Sequence, residues 1–195
     1  MAEALYHPEL GYYAREARQV GREGDFFTSV SVGPLFGNLL ARRFLREWNE
    51  LGAPARWRIV ECGAHDGTLA ADVLTALREL DAAAFAALEY AICEPLPRLQ
   101  AAQRETLRPF AERVTLLTDY DSLAADPLPG VVFGNELLDA LPFHIVEWRS
   151  GGWRECLVGC DSSGGFVWET DAEIHDPLLA EALALLGTNF PDGYR

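Results

Sequence analysis

A chain of 195 residues, 49% apolar and 24% charged, is long enough to bury one sizeable core and has the composition of a soluble globular domain. Its net charge of −14 repels phosphate backbones, which sets aside a nucleic-acid partner. No apolar run is long enough for a membrane span, and MAEALYHPELGYY lacks the basic-then-apolar order of a secretory signal.

Residues 1–33 are rich in Gly, Tyr and Arg and have little periodicity, so they read as an irregular leader, with Arg15, Arg18 and Arg22 on a solvated face. Residues 34–51 repeat apolar side chains at helical spacing: Leu35 and Leu39, and the set Phe36, Leu40, Phe44 and Trp48. Pro34 suits the first turn of that helix and Gly52 its stop. An alternation follows. WRIVEC (57–62), LEYAIC (88–93), RVTLLT (113–118) and GVVFGN (130–135) read as strands. Residues 68–80 and 97–107 read as helices, and 121–125 as a short helical turn. Near-continuous apolar strands between amphipathic helices predict a parallel sheet covered on both faces, hence a Rossmann-like α/β fold. The fourth strand is left with a free edge.

After residue 142 the pattern changes. PFHIVEWR, WRECLVGC and GFVWET are strand-like and are separated by SGG and DSSGG, which predicts an antiparallel meander. Residues 177–186 form a last helix, with Asp176 as N-cap and Gly187 as stop. The chain thus divides into a leader and helix (1–52), a core (53–142) and a meander with its helix (143–195). Cys62 and Cys93 end apolar strands, as buried thiols do. Cys156 and Cys160 fall on one strand face, with no second pair at zinc spacing. All four read as structural thiols in a reducing compartment, and no metal site is expected.

In open α/β sheets ligands sit beyond the carboxyl ends of the strands. Those ends hold Glu61-Cys62-Gly63-Ala64-His65-Asp66-Gly67, then Glu94, then Asp119-Tyr120, then Asn135-Glu136 with Asp139 close behind. An acid at every end suits a ligand that bears hydroxyls and an amine. A dinucleotide loop needs its third glycine where Thr68 stands, which disfavours a nucleotide-dependent oxidoreductase. Gly63 and Gly67 instead match the ExGxGxG loop of S-adenosylmethionine sites, with His65 in place of the middle glycine. Glu61, Gly63, Ala64, His65 and Gly67 form the expected cradle. Glu94 is the expected partner of the ribose hydroxyls, and Asp119 and Tyr120 of the adenine.

Four stretches carry a resemblance. LYHPELGYYAR (5–15), GDFFTS with the later FG (24–29, 36–37), VECGAHDGTLAADVL (60–74) and GNELLDALPFH (134–144) resemble the MidA-like family of S-adenosylmethionine-dependent methyltransferases. That family includes the mitochondrial arginine methyltransferase that serves as an assembly factor for respiratory complex I. The resemblance runs from about residue 2 to the end. It implies a Rossmann-like methyltransferase fold with an irregular leader and a β-meander insertion, S-adenosylmethionine as cofactor, and a protein arginine side chain as acceptor. A respiratory-complex assembly partner follows from it, as does a location in the cytoplasm if bacterial or the mitochondrion if eukaryotic. It maps cofactor contacts to Gly63, position 65, Gly67 and Glu94, and maps Asn135, Glu136 and Asp139 near the transferred methyl. In GDFFTS, Phe26 and Phe27 would exclude water and Thr28 or Ser29 would bond the cofactor. TSVSV departs from the family's TSPE, and the chain lacks the family's later βα units, as a fragment would. The competing expectation is a non-catalytic, cofactor-binding assembly protein, with Trp148, Trp153 and Trp168 as a partner surface.

Overall fold

The strand-and-helix alternation reappears in the computed structural model, which describes residues 1–7, 9–14 and 33–195. In chain order the elements are α1 (Ala2–Tyr6), α2 (Leu35–Glu50), β1 (Trp57–Cys62), α3 (Thr68–Leu80), α4 (Ala82–Ala87), β2 (Leu88–Cys93) and α5 (Pro97–Thr106). They continue with β3 (Val114–Leu117), α6 (Asp121–Ala125), β4 (Gly130–Gly134), β5 (Ile145–Arg149), β6 (Gly152–Cys160), β7 (Phe166–Ala172) and α7 (Pro177–Ala184). They fall into two compact units, Pro8–Ala140 and Met1–His7 with Leu141–Arg195.

In the first unit four parallel strands are ordered β3-β2-β1-β4. One face carries Trp57 and Ile59 of β1 and Leu88, Tyr90 and Ile92 of β2, all fully buried against Phe44 of α2 and Val73, Leu74 and Leu77 of α3. Helices α2 and α3 approach closely because Gly37 has no side chain: a Cβ there would run into Asp72. Helix α4 begins at Asp81, whose carboxylate accepts from the Ala83 and Ala84 amides at 2.9 Å. It lies where the Trp57 indole N–H donates to the Ala84 carbonyl (2.8 Å).

The other face is thinner. Val60, Cys62 and Ala91 are buried there, with Leu117, Leu123 and Leu137 partly covering them. At β4, Val132 is 69% exposed. The apolar run of that strand predicted cover on both faces, and the structure corrects this: on β4 only Val131 and Phe133, which face the α2–α3 side, pack on the core. A second correction concerns α2. Leu35 and Leu39 point outward, and the buried stripe is Gly37, Ala41, Phe44 and Trp48.

The second unit is an antiparallel sheet ordered β5-β6-β7. Ser150 and Gly151 both have positive φ (50° and 80°), so the β5–β6 hairpin closes on the two-residue turn whose twist matches its strands. The Asp176 carboxylate caps α7, accepting from the Leu178 (2.8 Å) and Leu179 (3.1 Å) amides. Trp148 and Trp153 meet edge to face, both lie tilted against Phe190, and Phe190 stacks on Tyr194. The chain end pairs with β5 through Trp148 N–H to Tyr194 O (2.8 Å). Trp148 is therefore buried in its own unit and offers no partner surface, whereas Trp168 is 53% exposed. Cys156 is buried and Cys160 exposed, both as free thiols.

Candidate functional site

Strand order reverses at β1, with β2 on one side and β4 on the other, the place in an open α/β sheet where ligands bind. Cys62 and Gly134 are paired at the two strand ends, which sets the cradle loop beside the Asn135–Glu136 loop.

The cradle loop is built on alternate left-handed residues. Gly63 (φ 73°), His65 (φ 47°) and Gly67 (φ 84°) all occupy the region that glycine tolerates. His65 is a non-glycine in that region, among the few residue types enriched there. The loop is tied at several points. Gly67 N–H donates to Ala64 O (2.8 Å), and Thr68 N–H donates to Asp66 Oδ1 (3.0 Å), satisfying an amide at the start of α3. Burial alone would push the Asp66 carboxyl up. The His65 ring, with its Nδ1 3.7 Å from Asp66 Oδ1, and the hydrogen bond from the Thr68 amide outweigh it and hold the pKa at about 2.

The predicted residues occupy different depths. Glu61 lies beneath the loop, 1% exposed, and accepts a hydrogen bond from the Tyr90 hydroxyl at 2.7 Å. Burial pushes its pKa up to about 7, opposed by that bond. Ala64 is also buried. Glu94 is 4% exposed: its Oε1 accepts from Leu96 N–H (3.0 Å) and its carbonyl from Gln100 Nε2 (2.8 Å). Burial raises its pKa, with the Leu96 amide, His65 and Gln103 pulling the other way. Asp119 accepts from the Asp121 amide (3.0 Å) and the Thr118 hydroxyl (3.2 Å), so its carboxylate also starts α6. The Tyr120 ring is half exposed. The nearby Cys62 thiol first, and burial second, raise the pKa of its hydroxyl.

After β4, Asn135 is half-buried and Glu136 exposed, with Glu136 at φ 52°. Asp139 falls in the 3₁₀ turn Leu138–Ala140, and its side chain is outside the described residues. So are Thr28, Ser29 and the phenylalanines of GDFFTS.

Sequence reasoning missed two residues that build this site. Gln103 of α5 is fully buried, and its Nε2 donates to the His65 carbonyl (2.8 Å). Its Oε1 is buried with no partner among the described residues. In a helix of alternating polar residues nothing marks this glutamine as buried. Leu137 reads as one more leucine of NELLDALP, yet it packs on Val60, Cys62 and Ala91.

The donor set suits one class of ligand. Acceptors dominate: Asp66, Glu94, Asp119 and Glu136 stand at the strand ends. That matches hydroxyls, an amine and a sulfonium better than a pyrophosphate. Residues 39–195 match the family model described as "Putative S-adenosyl-L-methionine-dependent methyltransferase". The chain belongs to this family. Its family cofactor is S-adenosylmethionine, as the loop and motifs predicted. The chain is 33% identical over 182 residues to the mitochondrial protein arginine methyltransferase NDUFAF7 homolog of Drosophila melanogaster, covering 85% of this chain and 41% of that one. It is 31% identical to the Danio rerio NDUFAF7 protein, covering 83% and 42%. Among solved structures it resembles a "COG1565 superfamily member and likely methyl transferase" from Burkholderia thailandensis bound to S-adenosyl-homocysteine. The TM-score is 0.73 at 36% identity, covering 94% of this chain and 47% of that one. The fold is thus the Rossmann-like α/β fold of these methyltransferases. The chain spans about two fifths of the length of the named relatives. Among the described residues no helix is long and apolar enough to cross a membrane, and no His, Cys, Asp or Glu cluster could hold a metal.

Proposed function

We propose that this chain carries the cofactor-binding part of an S-adenosylmethionine-dependent protein arginine methyltransferase. The observation that carries the reading is the loop after β1, with left-handed backbone at 63, 65 and 67, set at the strand-order reversal beside Glu94 and the Asn135–Glu136 turn. The names of the relatives support the arginine acceptor.

The cofactor supplies an activated methyl on sulfur; the chain's work is to hold and align. Gly63, Ala64, His65 and Gly67 would receive the methionine part, with Glu61 and Tyr90 supporting the loop from below. Glu94 would accept from the ribose hydroxyls, and Asp119 and Tyr120 would border the adenine. Thr28 or Ser29 of GDFFTS would add a cofactor bond. A guanidinium is a poor nucleophile because its lone pairs are delocalised. A carboxylate holding it at two points concentrates charge on the bound nitrogens and leaves the third free to attack. Glu136, exposed and next to the cradle, fits that task. Asn135 would orient the acceptor, and Asp139 would be a second carboxylate. A respiratory-complex subunit is the partner class the family implies. The alternative, a cofactor-binding assembly protein without turnover, draws support from the exposed Val158, Phe166 and Trp168 on one face of the β6–β7 hairpin.

Calorimetric titration with S-adenosylmethionine, with NAD as control, tests the cradle. Saturable binding of the first alone is expected, and preference for NAD would sink the reading. Transfer of a labelled methyl to arginine-containing protein, lost in Glu136→Gln with cofactor binding intact, then separates the enzyme from the assembly protein.

A further inference from the structure

We infer that Leu137 is a positioning residue that couples the cofactor loop to the acceptor loop; the inference rests on the cofactor reading above. The two loops leave paired strand ends, Cys62 on β1 and Gly134 on β4. Leu137 sits between them. A Cβ added at Gly63 would lie 2.8 Å from Leu137 Cδ1. A Cβ at Gly134 would lie 3.1 Å from its Cδ2 and 3.2 Å from its Cβ. The leucine therefore fills the space that side chains at both glycines would need, and its own body rests on Val60, Cys62 and Ala91.

Glu136, the preceding residue, has φ 52°, which a side chain makes unfavourable. Such backbone persists where its surroundings over-determine it. Two contacts do so here. Leu137 is seated against the glycines, and its carbonyl accepts from Ala140 N–H at 3.0 Å, closing the turn that follows. One side chain thus fixes the height of Gly63 in the cradle and the strained backbone of Glu136 beside it. Gly63 serves this contact as well as any approach by a ligand.

The coupling can be read without turnover. Hydrogen exchange of the amides from 63 to 67 is compared in the unsubstituted chain and in Leu137→Ala, Leu137→Val and Leu137→Met, each checked for folding by near-ultraviolet circular dichroism. Affinity for S-adenosyl-homocysteine is measured calorimetrically on the same samples. Exchange about tenfold faster, and binding about fivefold weaker, is expected in the alanine variant. Valine keeps the branched bulk but lacks both Cδ atoms and should behave the same way to a lesser degree, which covers a misfolded alanine variant. Methionine can refill the gap and should restore both readouts. Unchanged exchange in folded alanine and valine variants overturns the inference. So does faster exchange with unaltered affinity, since Leu137 would then be a packing residue only. No binding of S-adenosyl-homocysteine by the unsubstituted chain would overturn the cofactor reading itself, and the exchange comparison would still decide whether Leu137 ties the loop.

Discussion

At the scale of single residues, burial decides more than identity. Glu61 reads in the sequence as one acid among several at the strand ends, and the structure places it under the sheet's apolar face with Tyr90 as its partner. Its folded pKa of about 7 lies above the ordinary 4.5, so between those values the folded state holds a proton that the unfolded state has lost. Stability then falls as pH rises through that window and levels off above it, a loss of about 3 kcal/mol. Glu61→Gln keeps an acceptor for Tyr90 and removes the charge. It should match the unsubstituted chain in urea denaturation near pH 4.5 and exceed it at pH 8. Parallel pH dependences of the two would show that Glu61 does not titrate in this window. His65 poses the opposite case, legible in type but not in consequence. The loop pattern marks it as standing where glycine is expected, and φ 47° shows the conformation was kept despite the side chain. His65→Gly relieves about 1 kcal/mol of backbone cost that the ligand-free chain already carries, so it should raise stability in urea denaturation by up to about that much and leave S-adenosyl-homocysteine affinity nearly unchanged. Weaker binding would mean that the imidazole itself touches the cofactor.

At the scale of elements, periodicity predicted β1, β2, α3 and α6 with their bounds, because both their apolar spacing and their ends are local properties. It missed α4, six residues dominated by alanine, whose helix rests on the Asp81 cap and the Trp57 bond to Ala84 rather than on any stripe. It also placed Leu35 and Leu39 on the buried side of α2, since period alone does not say how wide the covered stripe is. The face that is covered is set by Gly37. In an exposed helix interior, glycine to alanine would gain about 1 kcal/mol. Here the added methyl meets Asp72 of α3, so Gly37→Ala should instead cost about 1–3 kcal/mol as the helices are forced apart. A rise in the melting temperature of that variant would mean that α2 and α3 do not approach closely at this glycine.

At the scale of the whole molecule, the two sheets were legible as a parallel and an antiparallel unit because the sequence changes period after residue 142. The left-handed turn after β1 was legible because Gly63 and Gly67 stand between an apolar strand and a helix. The seating of Leu137, the burial of Gln103 and the depth of Glu61 were not, since each depends on residues distant in sequence. The least legible feature is the uneven cover of the parallel sheet. An apolar strand looks the same whether it is covered on one face or two, yet Val60 of β1 is 5% exposed and its strand partner Val132 of β4 is 69% exposed, on the same face. Threonine is nearly the same size as valine and suits strands equally, so the exchange isolates burial of a hydroxyl. Val60→Thr should cost about 1–3 kcal/mol, whereas Val132→Thr should stay within about 0.5 kcal/mol of the unsubstituted chain in urea denaturation. Equal losses at the two positions would mean that this face of β4 is covered in solution as fully as that of β1.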